Sequence, residues 1–87
     1  MSFEAVVEAS FKITGRGTAI VLRSYEGVVR DGDRLVFRSA VGTFREAVKS
    51  VEHVRALGGG EKLGLVVVGL DPSQIPEGTE ITSDPGS

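Results

Sequence analysis

Few residues in this 87-residue chain could do chemistry, and their spacing limits what that chemistry is. His53 is the only histidine and there is no cysteine, so neither a histidine-rich nor a thiolate metal site can be assembled. A nucleophile–base pair would need His53 beside one of the serines, but no local signature joins them, and His53 reads as a surface or edge residue. Asp31 and Asp33 flank Gly32 at the alternate spacing that suits a calcium loop, yet no third spaced acid and no bidentate glutamate follow. That segment reads as a solvated turn. Arg16 between Gly15 and Gly17 has the chemistry of a phosphate contact at a hairpin tip, or of a solvated turn residue. The lysines are Lys12, Lys49 and Lys62, and none follows a glycine. A P-loop needs a lysine after its glycines to neutralise the phosphates those glycine amides cradle, so GTP or ATP binding by that route is not expected. The residues therefore predict a binding module, not an enzyme, with no cofactor and no metal.

The elements that must position these residues are predominantly strands. Phe3 to Ile13 alternates, with Phe3, Ala5, Val7, Ala9, Phe11 and Ile13 on one face and Val6 as the one apolar residue on the other. Gly15-Arg16-Gly17 breaks the run, and Thr18 to Tyr25 is β-branched and apolar, which predicts a hairpin. Arg30 to Asp33 is a turn and Arg34 to Arg38 a short third strand. Phe44 to Leu57 is ambiguous. Phe44, Ala47, Val48, Val51, Val54 and Leu57 fit helical spacing, while a strand would place Glu46, Ser50 and Glu52 with Val48 and Val54. Gly58-Gly59-Gly60 reads as a flexible break, and Leu63 to Leu70 as a buried strand. Asp71-Pro72 has the order of a helix cap followed by proline at the first position, which predicts a single helical turn. Thr79 to Thr82 is a last strand. Short strands punctuated by glycine predict an all-β barrel or sandwich.

Composition narrows the function classes further. Lys+Arg (10) is outnumbered by Asp+Glu (12), for a net charge of −2. Binding of nucleic acid through counterion release usually needs a basic face, so non-specific binding is not expected, although a pocket for one nucleotide end needs few charges. The N-terminus has no basic stretch leading an unbroken apolar run, and no segment approaches the ~20 apolar residues that span a bilayer. A cytoplasmic protein without membrane contact is the expectation.

Five segments, in order, resemble the second domain of elongation factor Tu. They are Phe11-Lys12-Ile13-Thr14-Gly15-Arg16-Gly17-Thr18, Glu26 through Asp33, Val51-Glu52-His53-Val54-Arg55, Gly60 through Leu65, and Ile75-Pro76-Glu77-Gly78 with the closing Pro85-Gly86-Ser87. The resemblance implies a small closed or nearly closed antiparallel Greek-key β-barrel over residues 1–83, with 84–87 as a tail. It makes Phe44–Arg55 a strand against its helical spacing. It also implies a barrel standing without the GTPase domain and the third domain that flank it in the family.

In that family the barrel holds the terminal adenosine and aminoacyl group of charged tRNA. The resemblance therefore implies a pocket at Ile13, Gly15, Ala19, Glu52 and Val66, with Arg16, Arg55 and Lys62 as phosphate or rim contacts. Apolar side chains would sandwich the base and the glutamate would accept from its donors. Val54 stands where the family has an aromatic, Lys62 where it has asparagine and Val68 where an arginine is common, and Ala19 and Val66 are smaller than usual. Two functions follow as expectations. The first is a translation-associated protein-interaction domain whose partner is a GTPase, the ribosome or a second copy, with Val6 part of an exposed apolar patch. The alternative is direct binding of an RNA 3′ end or aminoacyl-nucleotide around Glu52. A concave pocket lined by Glu52 and Ile13 favours the nucleotide, and a flat apolar face favours a protein.

Overall fold

A computed structural model describes residues 2–55 and 61–85; the side chains of residues 54, 55 and 61 lie outside the description. The Gly58–Gly60 break expected from the sequence also lies outside the described residues. The rest form strands β1 (Glu4–Ile13), β2 (Gly17–Glu26), β3 (Arg34–Ser39), β4 (Gly42–Arg55), β5 (Glu61–Val67) and β6 (Glu80–Ser83), with one 3₁₀ turn at Pro72–Gln74. Every pairing is antiparallel, and the strands close into a barrel in the order β1-β2-β5-β4-β3-β6. β3, β4 and β5 follow one another as hairpin neighbours, while β6 returns beside β3 and β2 lies beside β5. That is the Greek-key arrangement. Closure leaves no edge strand exposed for edge-to-edge pairing.

The barrel interior is filled by Phe3, Val7, Ile20, Leu22, Leu35, Phe37, Leu65, Val67, Ile75 and Ile81, all buried. Burial of these side chains is what holds so small a domain together, at about 25 cal/mol per Å² of apolar surface. Among the described residues no buried side-chain polar atom lacks a partner. Thr18 and Thr79, the two buried polar residues, donate to the carbonyls of Leu70 and Pro76.

β1 departs from the simple alternation. Its pairing with β2 slips twice, between Val6 and Val7 and between Val7 and Ala9, so Arg23 on β2 and then Glu8 on β1 are each an extra residue. Such bulges re-aim the side chains that follow. Ala5 and Val7 point into the core, but beyond Glu8 it is Ser10 that turns inward, donating to the carbonyl of Ile75 at 3.0 Å. Ala9 and Phe11 are exposed and Ile13 half-buried, against the expectation that they share a face with Phe3, Ala5 and Val7. The slip has a further anchor. The amide and carbonyl of Val7 pair with Thr79 and Gly78 of the segment entering β6, at 2.9 and 2.8 Å.

β4 is a strand, as the resemblance implies and the helical spacing does not. Its pairing with β5 slips between Val48 and Ser50, which makes Lys49 the extra residue. Phe44, Val48 and Val51 all pack on the core, four and then three residues apart. A period of two interrupted by one inserted residue produces the same spacing as a helix. The same slip sends Ser50 and Glu52 to the outer surface with Val66 and Gly64 opposite them. β5 also ends earlier than expected, because Val68 and Gly69 form an exposed bend before Leu70 is buried again.

Asp31 and Asp33 are exposed, as expected of a solvated turn, and they also hold that turn in place. Asp31 Oδ1 accepts from the Val51 amide at 2.8 Å, and Asp33 Oδ2 from the Arg30 amide at 2.9 Å. Together with Gly32 N–H to the Val48 carbonyl at 2.7 Å, they lash the β2–β3 turn onto β4. Beyond β6, Asp84 continues to hold the barrel by donating its amide to the Arg34 carbonyl at 3.0 Å.

The helical turn predicted at Asp71-Pro72 is present with both halves of a capping box: Asp71 accepts from the Ser73 amide, and the Gln74 side chain accepts from the Asp71 amide. The Ser73 hydroxyl and amide hold the Asp71 carboxyl below its ordinary value. A lowered folded-state value means that the cap's contribution is complete above the unfolded pKa of 3.8 and is lost as pH falls through the lower folded value. An amide titration should therefore show the Ser73 resonance unchanged from neutral pH to about 4 and moving only below it. A Ser73 transition centred above pH 4 would contradict the cap.

Candidate functional site

The slips at Glu8 and Lys49 create the site. On the outer surface of β1, β2, β5 and β4, register places Ala9, Val21, Gly64 and Glu52 in one cross-strand row and Phe11, Ala19, Val66 and Ser50 in the next. Gly64, having no side chain, leaves a hollow between Val21 and Glu52. The result is a cleft of about 100 Å³ lined by Phe11, Ile13, Ala19, Val21, Glu52, Gly64 and Val66 among others. Its wall is mainly apolar. Val66, although on the outer side, is only 2% exposed, because it forms the floor.

Of the residues expected at a nucleotide-end pocket, Ile13, Ala19, Glu52 and Val66 are brought together here. Gly15 is not part of the lining. It sits at the tip of the β1–β2 hairpin with φ of +78°, where glycine accommodates the reversal without strain. Arg16, beside it, reaches across β5 and donates to Glu52 Oε2 at 2.9 Å. The Ser50 hydroxyl donates to the same oxygen at 3.0 Å. Among the described residues nothing donates to Oε1, so that atom is the acceptor left for a ligand. Both partners of the Arg16–Glu52 pair are well exposed, and such a pair is worth only about 0–1 kcal/mol. It orients Glu52 without locking it.

Lys62 lies on the same surface and forms an ion pair with Glu8, the bulged residue of β1. The hollow is thus bracketed by two ion pairs, Arg16–Glu52 and Lys62–Glu8. Arg55 ends β4, but its side chain lies outside the described residues, as does that of Val54. His53 is exposed and pairs in register with Leu63. Among the described residues there is no group of three potential metal-ligating side chains, and no helix is long and apolar enough to cross a membrane.

One residue of the cleft escapes the sequence pattern. Phe11 is 51% exposed and lines the cleft, whereas alternation places it in the core. Only the bulge at Glu8 reveals it. Its ring supplies a flat aromatic surface in the same cleft as Glu52.

No protein-family model matches the chain. Among solved structures, the barrel is similar to part of translation elongation factor SelB from Methanococcus maripaludis, both in its apo form and in complex with the GTP analogue GppNHp. Each comparison gives a TM-score of 0.74 and 25% identity over 97% of this chain. The fold is that of an elongation factor Tu second-domain-like barrel. The chain spans 19% of the length of the SelB structures it matches, so the likeness is to one barrel of a larger protein. The described parts of the five resembling segments lie at the β1–β2 hairpin, the β2–β3 turn, the end of β4, the start of β5 and the approach to β6.

Proposed function

We propose that this barrel is a non-catalytic, translation-associated module whose outer cleft receives the terminal nucleotide of an RNA 3′ end, free or aminoacylated. The observation that carries the reading is the convergence of Phe11, Ile13, Ala19, Val66 and Glu52 on one concavity. Phe11 offers a stacking face for a base. Glu52 Oε1 is free to accept from ribose or base donors, and Arg16 at the rim has the charge for a phosphate. The volume sets the mode of binding. Pockets that enclose a whole small molecule hold about 300–1,000 Å³, so a hollow of about 100 Å³ takes an edge while the rest of the base lies on Phe11. Stacking contributes about 1–3 kcal/mol and a hydrogen bond to a charged group about 1.5–3. That corresponds to affinity near the millimolar range, about 4 kcal/mol.

An amide NMR titration with a short RNA ending in CCA, with and without an aminoacyl group, tests this directly. Localised, saturable shifts at Phe11, Ile13, Ala19, Glu52 and Val66 are expected. Unmoved resonances at millimolar RNA would remove the nucleotide reading.

A second reading, docking of a protein partner such as a GTPase, the ribosome or a second copy, is favoured by a different observation. A groove of about 460 Å³ on β6, β1 and β2 is lined by the half-buried Val6 and the exposed Tyr25, with Glu4, Glu26 and Glu80 around them. Val6, the residue that broke the alternation of β1, faces outward there. No catalytic role and no GTP binding by this chain belongs to either reading. His53 makes no hydrogen bond to a serine among the described residues.

A further inference from the structure

Among the described residues the cleft has one polar side chain in its lining, Glu52, and that side chain only accepts. In its ion pair with Arg16, Glu52 is a carboxylate, which accepts hydrogen bonds and donates none. Oε2 is taken by Arg16 at 2.9 Å and by Ser50 at 3.0 Å, so Oε1 is the acceptor left. Arg16, the donor at the rim, lies outside the lining and is turned to Oε2. The backbone adds no donor. β2 and β5 are each flanked by a strand on both sides, and their amides serve those ladders. A ligand group that enters the hollow therefore meets an acceptor and no donor.

The shape of the cleft limits which part of a nucleotide reaches that acceptor. Phe11 on β1 and Glu52 on β4 stand three strand spacings apart, roughly 14 Å along the sheet, with Ala19, Gly64 and Val66 between them. A base stacked on Phe11 lies across this floor with one edge toward Glu52. The hollow of about 100 Å³ admits what projects from that edge and not a ribose ring. Adenine, cytosine and guanine each project an exocyclic amino group, which is a donor. Uracil projects only carbonyl oxygens, and its one N–H is set back between them.

We propose that the cleft selects the terminal base by this polarity: it takes an RNA 3′ end closing in adenosine, cytidine or guanosine and rejects one closing in uridine. The inference rests on the nucleotide reading of the cleft and goes past it, since stacking on Phe11 alone accepts every base. An amino group gives a hydrogen bond to Oε1. Uracil instead sets a carbonyl oxygen against a carboxylate within an apolar hollow, where the two repel and both lose water without gaining a donor. What is selected is a class of base. A single acceptor with no donor beside it does not separate the three amino-bearing edges from one another.

Four short RNAs that differ only in their last nucleotide, ending in CCA, CCC, CCG and CCU, test this by amide titration of the whole chain. The decisive pair is the cytidine and uridine ends, because two pyrimidines of one size offer Phe11 the same face. The first three RNAs are expected to shift Phe11, Ala19, Glu52 and Val66, and the uridine end to bind about 5–150-fold more weakly than the cytidine end, the range of one base-edge discrimination. Glu52→Gln supplies the second readout. Its amide can turn either an oxygen or an NH₂ group to the ligand, so the cytidine-to-uridine ratio should fall toward one. A variant that merely loosened the barrel would weaken all four ends alike and leave the ratio unchanged, which counts against the proposal. Equal affinities for the cytidine and uridine ends in the native chain overturn the selection and leave the nucleotide reading in place, with Oε1 assigned to the ribose common to all four. Binding of the adenosine end alone overturns it in the same way. Shifts from none of the four remove the nucleotide reading and the selection together.

Discussion

Phe37→Ala is expected to destabilise the barrel by about 3–5 kcal/mol, the range for deleting a buried phenylalanine without collapse of the space it leaves. Phe37 is fully buried on the central stretch of β3. Its register partners are Phe44 on β4 and Ile81 on β6, so its ring joins two seams of the barrel at once. A closed barrel cannot shift one strand toward a void without moving its neighbours, which places the site toward the costly end of that range. Domains of this kind have about 5–15 kcal/mol in total, and one of 87 residues buries a smaller share of its surface than a larger one. The substitution therefore removes much of the available stability. Urea unfolding reads it directly. With a slope of about 1–3 kcal/mol per molar, the midpoint should fall by at least about 1 M. Val41→Ala, at a position 63% exposed in the β3–β4 turn, is the matched control and should move stability by less than about 0.5 kcal/mol. A midpoint for Phe37→Ala close to that of the control would mean that the ring is not where the barrel's seams meet.

How much of this architecture the sequence expresses depends on whether local pattern and tertiary register agree. They agree in the first part of β2, where Thr18, Ile20 and Leu22 are buried in alternation, whereas in β3 Leu35, Val36 and Phe37 are all buried. They agree too at Asp71-Pro72, whose cap is formed by residues within one turn of each other. They disagree at the bulges. An extra residue at Glu8, Arg23 or Lys49 has no compositional mark, because what defines it is the strand opposite. Yet each reverses which residues face the core for the remainder of its strand. That reversal is why Phe11 reads as core and lies in the cleft, and why a 14-residue strand carries apolar residues at helical spacing. Ordered motifs were the better guide there, since they encode the whole barrel's register and not one strand's period.

The candidate site was legible in the same uneven way. Ile13, Ala19, Glu52 and Val66 lie within one cleft. That Arg16 contacts Glu52, 36 residues away, is a consequence of β5 lying between the hairpin and β4 and could not be read locally. Arg16 and Lys62, expected as phosphate or rim contacts, are each paired with a carboxylate. A phosphate arriving at Arg16 must therefore compete with Glu52. The competition is mild, because the pair is exposed, and it favours a ligand that offers an anion to one partner and a hydrogen-bond donor to the other.

Phe11→Ala separates the consequences of the bulge from those of simple alternation, because the two assign this residue opposite roles. If the ring stacks on a bound base, its loss should weaken the CCA-ended RNA by about 5–150-fold, corresponding to the 1–3 kcal/mol of one base–aromatic contact. Stability should change by no more than about 1 kcal/mol, since half of the ring is already in water. Phe11→Trp should retain or strengthen binding, as a larger face stacks at least as well. Glu52→Gln is the companion variant. It keeps the shape, removes the charge from the acceptor and releases Arg16, so it should weaken an RNA that donates to Oε1 while leaving a merely stacked base unaffected. Were Phe11 a core residue, the pattern would invert, with a stability loss of about 3–5 kcal/mol and no separate effect on binding. Equilibrium unfolding and the amide titration, run on the same variant, thus decide together whether the displaced register of β1 exists to place an aromatic ring beside Glu52.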